Sequence, residues 1–332
     1  MDLLTQGLLG GALAQTMANK QEVRHATLIG FLSGLLADAD VLIQSSTDPL
    51  LTLEFHRHFT HSIFFIPIGA LIASGLLWFF YRDRLPFKRL YMFSILGYSL
   101  SGFIDACTSY GTYLLWPLSD ERVAFNIISI IDPVFTLVLL IGFLLTFINY
   151  QKYTVRIALA FCALYLVFGF FQYHRAENIA LELADTRKHT IEKLVVKPTL
   201  GNLILWRSTY ISGEEIYIDA IRTGIFSDNR VYKGASVPLF SMTRDMPELS
   251  ITNPVYRDIL RFSMLSDGFL ALHPGDKSVV GDLRYSMLPT SNTPLWGLRI
   301  NVRSQDKPVH FEFFRHNDAD SRRRFMNMLY GN

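Results

Sequence analysis

The chain has 332 residues, of which 50% are hydrophobic and only 18% are charged. Soluble domains average about 25% charged residues, so this composition argues against a wholly soluble protein and indicates a membrane protein. The net charge of +2 is too small to indicate a nucleic-acid ligand, and we predict no nucleic-acid partner. Long apolar runs fill residues 1–173, and most of the charge lies in 174–332. The sequence therefore predicts a helical transmembrane domain followed by a soluble domain.

Apolar segments of membrane-spanning length recur through the first half. The four clearest segments cover about 63–81, 90–106, 127–149 and 155–173. Each is close to the length of about 20 residues that a helix needs to cross a hydrocarbon core. The earlier stretches 3–18 and 26–43 are short and rich in glycine, so they are either short spans packed inside the bundle or re-entrant helices. We predict an α-helical membrane bundle of about six helices.

Positive charge in the connecting segments predicts the orientation of this bundle. The loop 82–89 holds four Lys or Arg residues, and the loop 150–154 with its neighbours agrees. Both are cytoplasmic by the positive-inside rule. Alternation then places the loops 44–62 and 107–126 on the outer side. Everything after the last span falls on the same outer side, which places the C-terminal domain outside the membrane bundle's cytoplasmic face.

This orientation gathers polar residues of the bundle on one face. Two aspartates end the second helix, the segment EFHRHFTHS (54–62) precedes the third, and a further aspartate ends the fourth. Charge and imidazole at a bilayer edge are costly unless they bind something. Carboxylates and imidazoles are the ligands of Zn²⁺ and similar divalent ions, so their convergence predicts a metal site. The candidate residues are Asp38, Asp40, Glu54, His56, His61 and Asp105.

Other roles remain open for several of these residues. Glu54 could be an ordinary loop carboxylate, and His58 could simply face water. Asp132 could cap the fifth helix, since it precedes a proline, and Asp105 could cap the tight turn after it. Arg57 could pair with a phosphate or with a ligating carboxylate.

Four segments resemble the YdjM-type, LexA-regulated bacterial inner-membrane proteins. They are LLADADVL (35–42), EFHRHFTHS (54–62), GFIDACTSYGTYLLWPLS (102–119) and IISIIDPVF (127–135). That family is described as membrane-bound and metal-dependent hydrolases, with distant similarity to zinc-dependent phospholipase C and P1 nuclease. The resemblance therefore implies phosphoester hydrolysis by a multi-pass protein of the inner membrane.

The family pattern implies a set of metal ligands in this sequence. It points to Asp38, Asp40, His56, His61 and Asp105. The implied ion is Zn²⁺, with Mn²⁺ or Mg²⁺ as the alternative. Gln6 and Gly102 stand where many members carry histidine. Fewer imidazoles reduce the expected number of ions or favour an ion that prefers oxygen ligands.

The second half predicts an α+β domain with a mainly antiparallel sheet. A polar helix over 174–194 leaves the membrane, and two further helices cover 254–265 and 318–330. Turns are expected at Ser212-Gly213, Pro274-Gly275 and Ser304–Lys307. The predicted strands lie in LILWRSTYI, EIYIDAIRTG, VVGDLRYSML, LWGLRINV and VHFEFFR. The role of this domain is either to cover or present substrate at the outer site, or purely structural.

The function predicted from these features is a membrane-bound, metal-dependent hydrolase of a phosphoester or lipid-linked ester at the periplasmic face. The metal would activate water, with Asp40 or Glu54 as general base and Arg57 as a candidate partner of the phosphate. The lipid bilayer and the substrate are the expected partners, and no protein partner is predicted. Two alternatives are a metal-ion or proton-coupled transporter, because intramembrane Asp and His also mark ion pathways, and a non-catalytic membrane scaffold.

Overall fold

Two compact units make up the chain. In the computed structural model, which describes residues 1–225, 227–301, 309–315 and 318–332, the first unit comprises Met1–Ile43, Phe55–Phe171 and Leu200–Leu203. The second unit comprises Gln44–Glu54, Gln172–Thr199 and Ile204–Asn332. The predicted division at residue 173, into a transmembrane and a periplasmic domain, stays a prediction.

Helices account for most of the described chain up to residue 186. They are α1 (Leu3–Met17), α2 (Val23–Leu36), α3 (Leu51–Phe55), α4 (Ile66–Tyr81), α5 (Phe87–Tyr98), α6 (Ser101–Cys107), α7 (Pro133–Asn149) and α8 (Lys152–Thr186). A 3₁₀ turn, Ala37–Leu42, continues α2, and a second 3₁₀ turn covers Phe59–His61. The predicted helical bundle is confirmed.

Several of these helices are long and apolar enough to cross a membrane. In the described residues they are Val23–Leu42, Phe87–Cys107 and Lys152–Thr186, with a fourth if the bent pair Leu51–His61 and Ile66–Tyr81 is counted as one span. α7 is apolar but shorter. Large apolar side chains remain exposed on α4, such as Leu76 at 62% and Phe79 at 71%. Such surfaces are stable against lipid tails, which are as apolar as the side chains themselves.

Glycine brings three helices of the first unit into close contact. A Cβ atom at Gly10 of α1 would lie 2.5 Å from the carbonyl oxygen of Gly30 in α2 and 2.7 Å from that of Gly97 in α5. Helix backbones approach this closely only where side chains are absent. The glycine-rich composition of the two short N-terminal stretches is therefore a packing feature.

The helix boundaries of the first unit differ from the predicted ones at α7 and between α5 and α6. α7 begins at Pro133 and not at 127, because Asp132 accepts a hydrogen bond from the backbone N–H of Phe135 at 3.0 Å and caps the helix. The segment predicted at 90–106 is divided between α5 and α6. α8 joins the predicted span at 155–173 to the first part of the polar helix predicted at 174–194.

The second unit contains two four-stranded antiparallel sheets, each with its strands in chain order. The first sheet holds β1 (Lys193–Pro198), β2 (Leu205–Ser212), β3 (Glu215–Arg222) and β4 (Arg230–Pro238). The second holds β5 (Leu270–His273), β6 (Asp276–Asp282), β7 (Trp296–Arg299) and β8 (His310–Phe313). The helices α9 (Met242–Asp245), α10 (Pro254–Leu265) and α11 (Ala319–Tyr330) complete this unit.

The predicted α+β class and antiparallel pairing of the second unit are confirmed. The predicted end of the helix that precedes β1 is wrong. The turns at Ser212-Gly213 and Pro274-Gly275 join β2 to β3 and β5 to β6, and the turn predicted at Ser304–Lys307 lies outside the described residues. The helix predicted to run to residue 194 ends at Thr186. Lys188 then adopts φ +60°, a left-handed conformation that breaks the helix, and the following residues pair with β2.

The core of the second unit explains why residues 44–54 belong to it. Leu50 is fully buried in a cluster with Ile259, Phe262 and Val280. Burying a leucine side chain stabilises a fold by about 1.5–3 kcal/mol. The segment is held further by Arg261, whose guanidinium pairs with Asp48 at 2.9 Å and with Glu54 at 2.8 Å.

Candidate metal centre

Three short elements of the first unit carry a buried cluster of acidic and imidazole side chains. Asp38 and Asp40 lie on the 3₁₀ turn that continues α2, His61 ends the turn Phe59–His61, and Asp105 lies on α6. All four side chains are buried. Short turns at the ends of helices thus bring together residues that are far apart in the chain.

The deepest group of ligands is Asp38, His61 and Asp105. His61 Nε2 lies 3.4 Å from Asp38 Oδ1 and 3.0 Å from Asp105 Oδ2. One ligand atom from each of the three residues lies within 4.8 Å of the others. This spacing and composition could hold a divalent ion.

A second group shares Asp38 with the first. Asp38, Asp40 and His56 also offer three ligand atoms within 4.8 Å of one another. His56 Nδ1 lies 2.9 Å from Asp40 Oδ1, and the His56 side chain is 27% exposed. A carboxylate common to two ligand groups is the arrangement by which two-metal sites hold neighbouring ions.

Unsatisfied polar atoms provide a test of whether an ion fits this cluster. Within the described residues, the buried Asp38 Oδ2 has no hydrogen-bond partner, and His61 Nε2 makes no hydrogen bond although Asp105 Oδ2 lies 3.0 Å away. Buried polar atoms are nearly always paired, so two such atoms in one cluster require an explanation. A cation bound between them would satisfy both atoms.

The charges of the cluster lead to the same conclusion. Asp38, Asp40 and Asp105 bring three carboxylates into the interior. The facing cations among the described residues are Arg57, 3.2 Å from Asp105 Oδ2, and the amino group of Met1, which also contacts Asp105. Negative charge exceeds positive charge here, and buried charges require compensation. The donor set therefore fits a divalent ion.

Arg57 connects the two sides of the cluster. Its backbone N–H donates to Asp40 Oδ2 at 2.8 Å, and its guanidinium pairs with Asp105. Its backbone adopts φ +61°, and its carbonyl oxygen accepts hydrogen bonds from Thr112 Oγ1 and the N–H of Tyr113. Of the two roles expected for Arg57, the structure shows the pairing with a candidate ligating carboxylate.

Further hydrogen-bond donors orient the carboxylates of Asp40 and Asp105. Thr60 Oγ1 donates to Asp40 Oδ2 at 2.6 Å, and Gln6 Nε2 donates to Asp105 Oδ2 at 2.7 Å. Hydrogen bonds of this kind fix ligand orientation in metal sites. Gln6, where the resemblance implies histidine in many members, thus reaches the cluster through Asp105.

Gly102 has no side chain, and this allows the His61 turn to approach α6 closely. A Cβ atom at this position would lie 1.9 Å from the carbonyl oxygen of His61. The backbone of the His61 turn therefore rests directly on α6. Any side chain at position 102, including the histidine that the resemblance implies for many members, would require a different position of this turn.

Three polar residues considered in the sequence have other surroundings. Asp132 caps α7 and accepts a hydrogen bond from the hydroxyl of Tyr165 at 3.0 Å, which confirms the capping role. His58 is half-buried, with its ring 4.5 Å from that of Tyr113, so the expectation that it simply faces water is wrong. Glu54 belongs to the second unit, where it pairs with Arg261.

Arg122 was missed by the sequence reasoning. Its Nη2 donates to the carbonyl oxygen of His56 at 3.3 Å, and its guanidinium lies over the rings of Tyr110 and Tyr113. In the sequence it follows Asp120 and Glu121 in a polar loop. Such a loop reads as solvated surface, and no motif singles out the arginine.

Apolar helices and a buried Asp and His cluster define a membrane-associated protein with a candidate metal centre. The chain belongs to the YdjM inner membrane protein family, whose model matches residues 1–176. This range contains every residue of the candidate centre. The resemblance inferred from the sequence motifs is confirmed.

One curated relative is similar over part of its length. It is described as "Uncharacterized protein YfhP" of Bacillus subtilis (strain 168), and is 24% identical over 216 residues, which are 63% of this chain and 64% of that protein. The match therefore spans less than two thirds of the relative. No solved structure matches the chain significantly. The similarity to zinc-dependent phospholipase C stays a prediction.

Proposed function

We propose that this protein is a membrane-bound, metal-dependent hydrolase that cleaves a phosphoester or another lipid-linked ester. The observation that carries this proposal is the pair of ligand groups that share Asp38 and contain buried polar atoms without partners. Intramembrane carboxylates and imidazoles are retained where they bind an ion or a substrate. A solely structural cluster would leave the buried Asp38 Oδ2 without a hydrogen-bond partner.

The residues present suit zinc, with manganese or magnesium as alternatives. His56 and His61 supply imidazoles, and Asp38, Asp40 and Asp105 supply carboxylates. Imidazole favours Zn²⁺, whereas a majority of oxygen ligands is also acceptable to Mn²⁺ and Mg²⁺. A bound ion would supply a water molecule of lowered pKa and a Lewis acid for the ester oxygen.

The protein groups around the cluster have separate tasks in this proposal. Asp40 is held by Thr60 and by the backbone of Arg57, and it is our candidate for the general base. Glu54, the other candidate, is committed to Arg261. Arg57 neutralises Asp105 and so reduces the cost of burying that carboxylate.

The proposed site faces the periplasm. α4 runs from just after His61 to the basic loop 82–89, and α5 and α6 return from that loop to Asp105. The cluster and the basic loop thus lie at opposite ends of the same helices. Because basic loops remain cytoplasmic, the cluster is assigned to the outer leaflet. Lipids or lipid-linked phosphoesters of that leaflet are the proposed substrates, and neither nucleic acid nor a partner protein is required.

The test compares metal content and hydrolysis in matched variants. The full chain is purified in detergent, its metals are measured by mass spectrometry, and a panel of phosphoesters and lipids is assayed. Asp38→Asn and His61→Ala are expected to lose both metal and turnover. Asp83→Asn, at a carboxylate that is 90% exposed in the loop after α4, should retain both.

Two other results would favour one of the alternative functions, a scaffold or a transporter. Bound metal without hydrolysis of any substrate would favour a scaffold with a structural ion. Metal flux into proteoliposomes, lost in Asp38→Asn, would favour a transporter.

A further inference from the structure

Arg122 lies next to the part of the metal centre that is open to solvent. Its Nη2 donates to the carbonyl oxygen of His56 at 3.3 Å, and its Nη1 donates to the carbonyl oxygen of Tyr110 at 3.5 Å. His56 is the candidate ligand with a partly exposed side chain, whereas Asp38 and His61 are buried. The guanidinium of Arg122 therefore lies at the mouth of the centre.

Two tyrosine rings hold this guanidinium in place. Its central carbon lies 4.7 Å from the ring centroid of Tyr110 and 4.8 Å from that of Tyr113. Stacking of a planar guanidinium on aromatic faces restricts its orientation while leaving its N–H edge available. Tyr110 is also 5.4 Å from the guanidinium of Arg57, so one ring lies near both cations. The positive charge of Arg122 is thus preorganised beside the cluster.

Arg122 differs in its partners from Arg57 and Arg89, two arginines of the first unit that pair with carboxylates. Arg57 pairs with Asp105, and Arg89 pairs with Glu22 at 2.5 Å. No carboxylate of the described residues lies within 4.0 Å of the Arg122 guanidinium, and its two acceptors are neutral carbonyl oxygens. Because a guanidinium has five N–H donors, Arg122 retains donors for an anion.

We propose that Arg122 binds the phosphoryl group of the substrate at the mouth of the metal centre. The inference rests on the proposed function in so far as it takes the ligand of Arg122 to be that substrate. The chemistry that fits is a phosphate mono- or diester, because a guanidinium edge matches two phosphoryl oxygens. The phosphoryl group belongs either to a lipid headgroup or to a soluble ester.

A purely structural role for Arg122 makes a different prediction. In that case the arginine would only attach the loop at 120–122 to the backbone of His56, and its loss would release the metal ligand. Metal content therefore separates the two roles. Arg122→Lys is informative as well, because it keeps the charge but loses the planar fork that binds two oxygens.

The experiment measures binding of inorganic phosphate to the full chain in phosphatidylcholine nanodiscs, by calorimetry. Wild type is compared with Arg122→Gln and Arg122→Lys, and with Arg84→Gln, which removes the same charge from an exposed position of the same unit. Arg122→Gln is expected to weaken phosphate binding about tenfold or more, since a charged hydrogen-bonding partner is lost. Arg122→Lys should weaken it less, and Arg84→Gln should not change it. Metal content should be equal in all four proteins.

A second arm identifies the source of the phosphoryl group. Phosphatidylglycerol in the nanodiscs should compete with inorganic phosphate in wild type if the natural ligand is a lipid headgroup. Absence of competition, with phosphate binding intact, would assign a soluble phosphoester. Either result retains Arg122 as the anion-binding residue.

Three results would overturn the inference. They are phosphate binding by Arg122→Gln as strong as that of wild type, no phosphate binding by wild type, and loss of metal in both Arg122 variants. These outcomes are independent of turnover. Weakened phosphate binding in a protein that hydrolyses nothing would reject the proposed hydrolase and keep the anion site.

Discussion

Replacement of Gly102 by alanine is expected to disturb the metal centre without touching any of its ligands. The added Cβ atom would lie 1.9 Å from the carbonyl oxygen of His61. Side-chain carbons do not approach other atoms to less than 3.0 Å. The obstacle is backbone, so no side-chain rotation relieves the overlap. The His61 turn and α6 must therefore move apart, and Asp105, three residues after Gly102 on α6, moves relative to His61.

The size of this effect follows from the overlap. Relief requires a displacement of about 1 Å between His61 and α6, and a misplacement of that size can reduce catalysis about 100-fold. Forcing an extra carbon into a packed interior costs about 1–3 kcal/mol of stability. The His61 Nε2 to Asp105 Oδ2 distance, now 3.0 Å, belongs to the deeper ligand group, so metal affinity should fall together with turnover.

The assay is a metal titration against a competing chelator, with metal content of the purified protein as a second readout. Gly75→Ala is the matched control, because a Cβ atom at Gly75 in α4 meets no described atom within 4 Å. Gly102→Ala should bind metal more weakly than Gly75→Ala and wild type. Equal metal affinity in all three proteins would refute the argument that Gly102 sets the position of His61.

Three further predictions concern groups outside the ligand set. Burial and the nearby guanidinium of Arg284 hold the pKa of Lys197 well below its ordinary value of 10.5, and its amine has no hydrogen-bond partner among the described residues. Lys197→Met should therefore stabilise the protein by about 1–3 kcal/mol. Because the unfolded state binds the proton more tightly, wild-type stability should also rise with pH towards 10.5, and the variant should lose this dependence. Asp132→Ala should lower stability by about 0.5–2 kcal/mol through loss of the α7 cap, with metal content unchanged. Glu54→Gln and Arg261→Gln should each change turnover less than about tenfold, since a partly exposed ion pair contributes about 1 kcal/mol or less.

Each of these predictions has a contradicting result. The Lys197 prediction is tested by measuring the thermal unfolding midpoint as a function of pH, with the exposed Lys277→Met as control. A lower stability of Lys197→Met than of wild type would contradict it. Loss of metal in Asp132→Ala would place Asp132 in the centre. Abolished turnover in Glu54→Gln, with Arg261→Gln active, would make Glu54 the general base in place of Asp40.

Hydropathy and charge were sufficient to predict the membrane helices and the elements that carry the candidate centre. A span of about 20 apolar residues can be identified from the local sequence, and so can the polar residues at its ends. Asp38, His61 and Asp105 could be expected near one another because each lies at the same end of its helix. Their distances could not be predicted, because these depend on tertiary contacts such as the approach of the His61 turn to α6 at Gly102.

Features that depend on tertiary contact were invisible in the sequence. Leu50 reads as an apolar residue in a polar loop, yet its burial assigns the whole segment 44–54 to the second unit. Gly102 reads as one more glycine of a membrane helix, and only the approach of the His61 turn explains it. Arg122 follows two acidic residues in a loop, so its sequence context indicates only an exposed charged residue. The burial of Leu50 against α10, the approach of His61 to Gly102 and the contact of Arg122 with His56 each join residues more than 40 positions apart, beyond the reach of any local pattern.

The central claim is that Asp38, His61 and Asp105 hold a divalent ion, and anomalous diffraction from crystals of the protein tests it most directly. Data collected at the zinc and manganese edges would give both the identity and the number of ions. The account predicts an anomalous peak within coordination distance of these three residues, with a second peak near Asp40 and His56 if Asp38 bridges two ions. No peak at either edge beside these residues, in crystals of protein supplemented with Zn²⁺ or Mn²⁺, would contradict it.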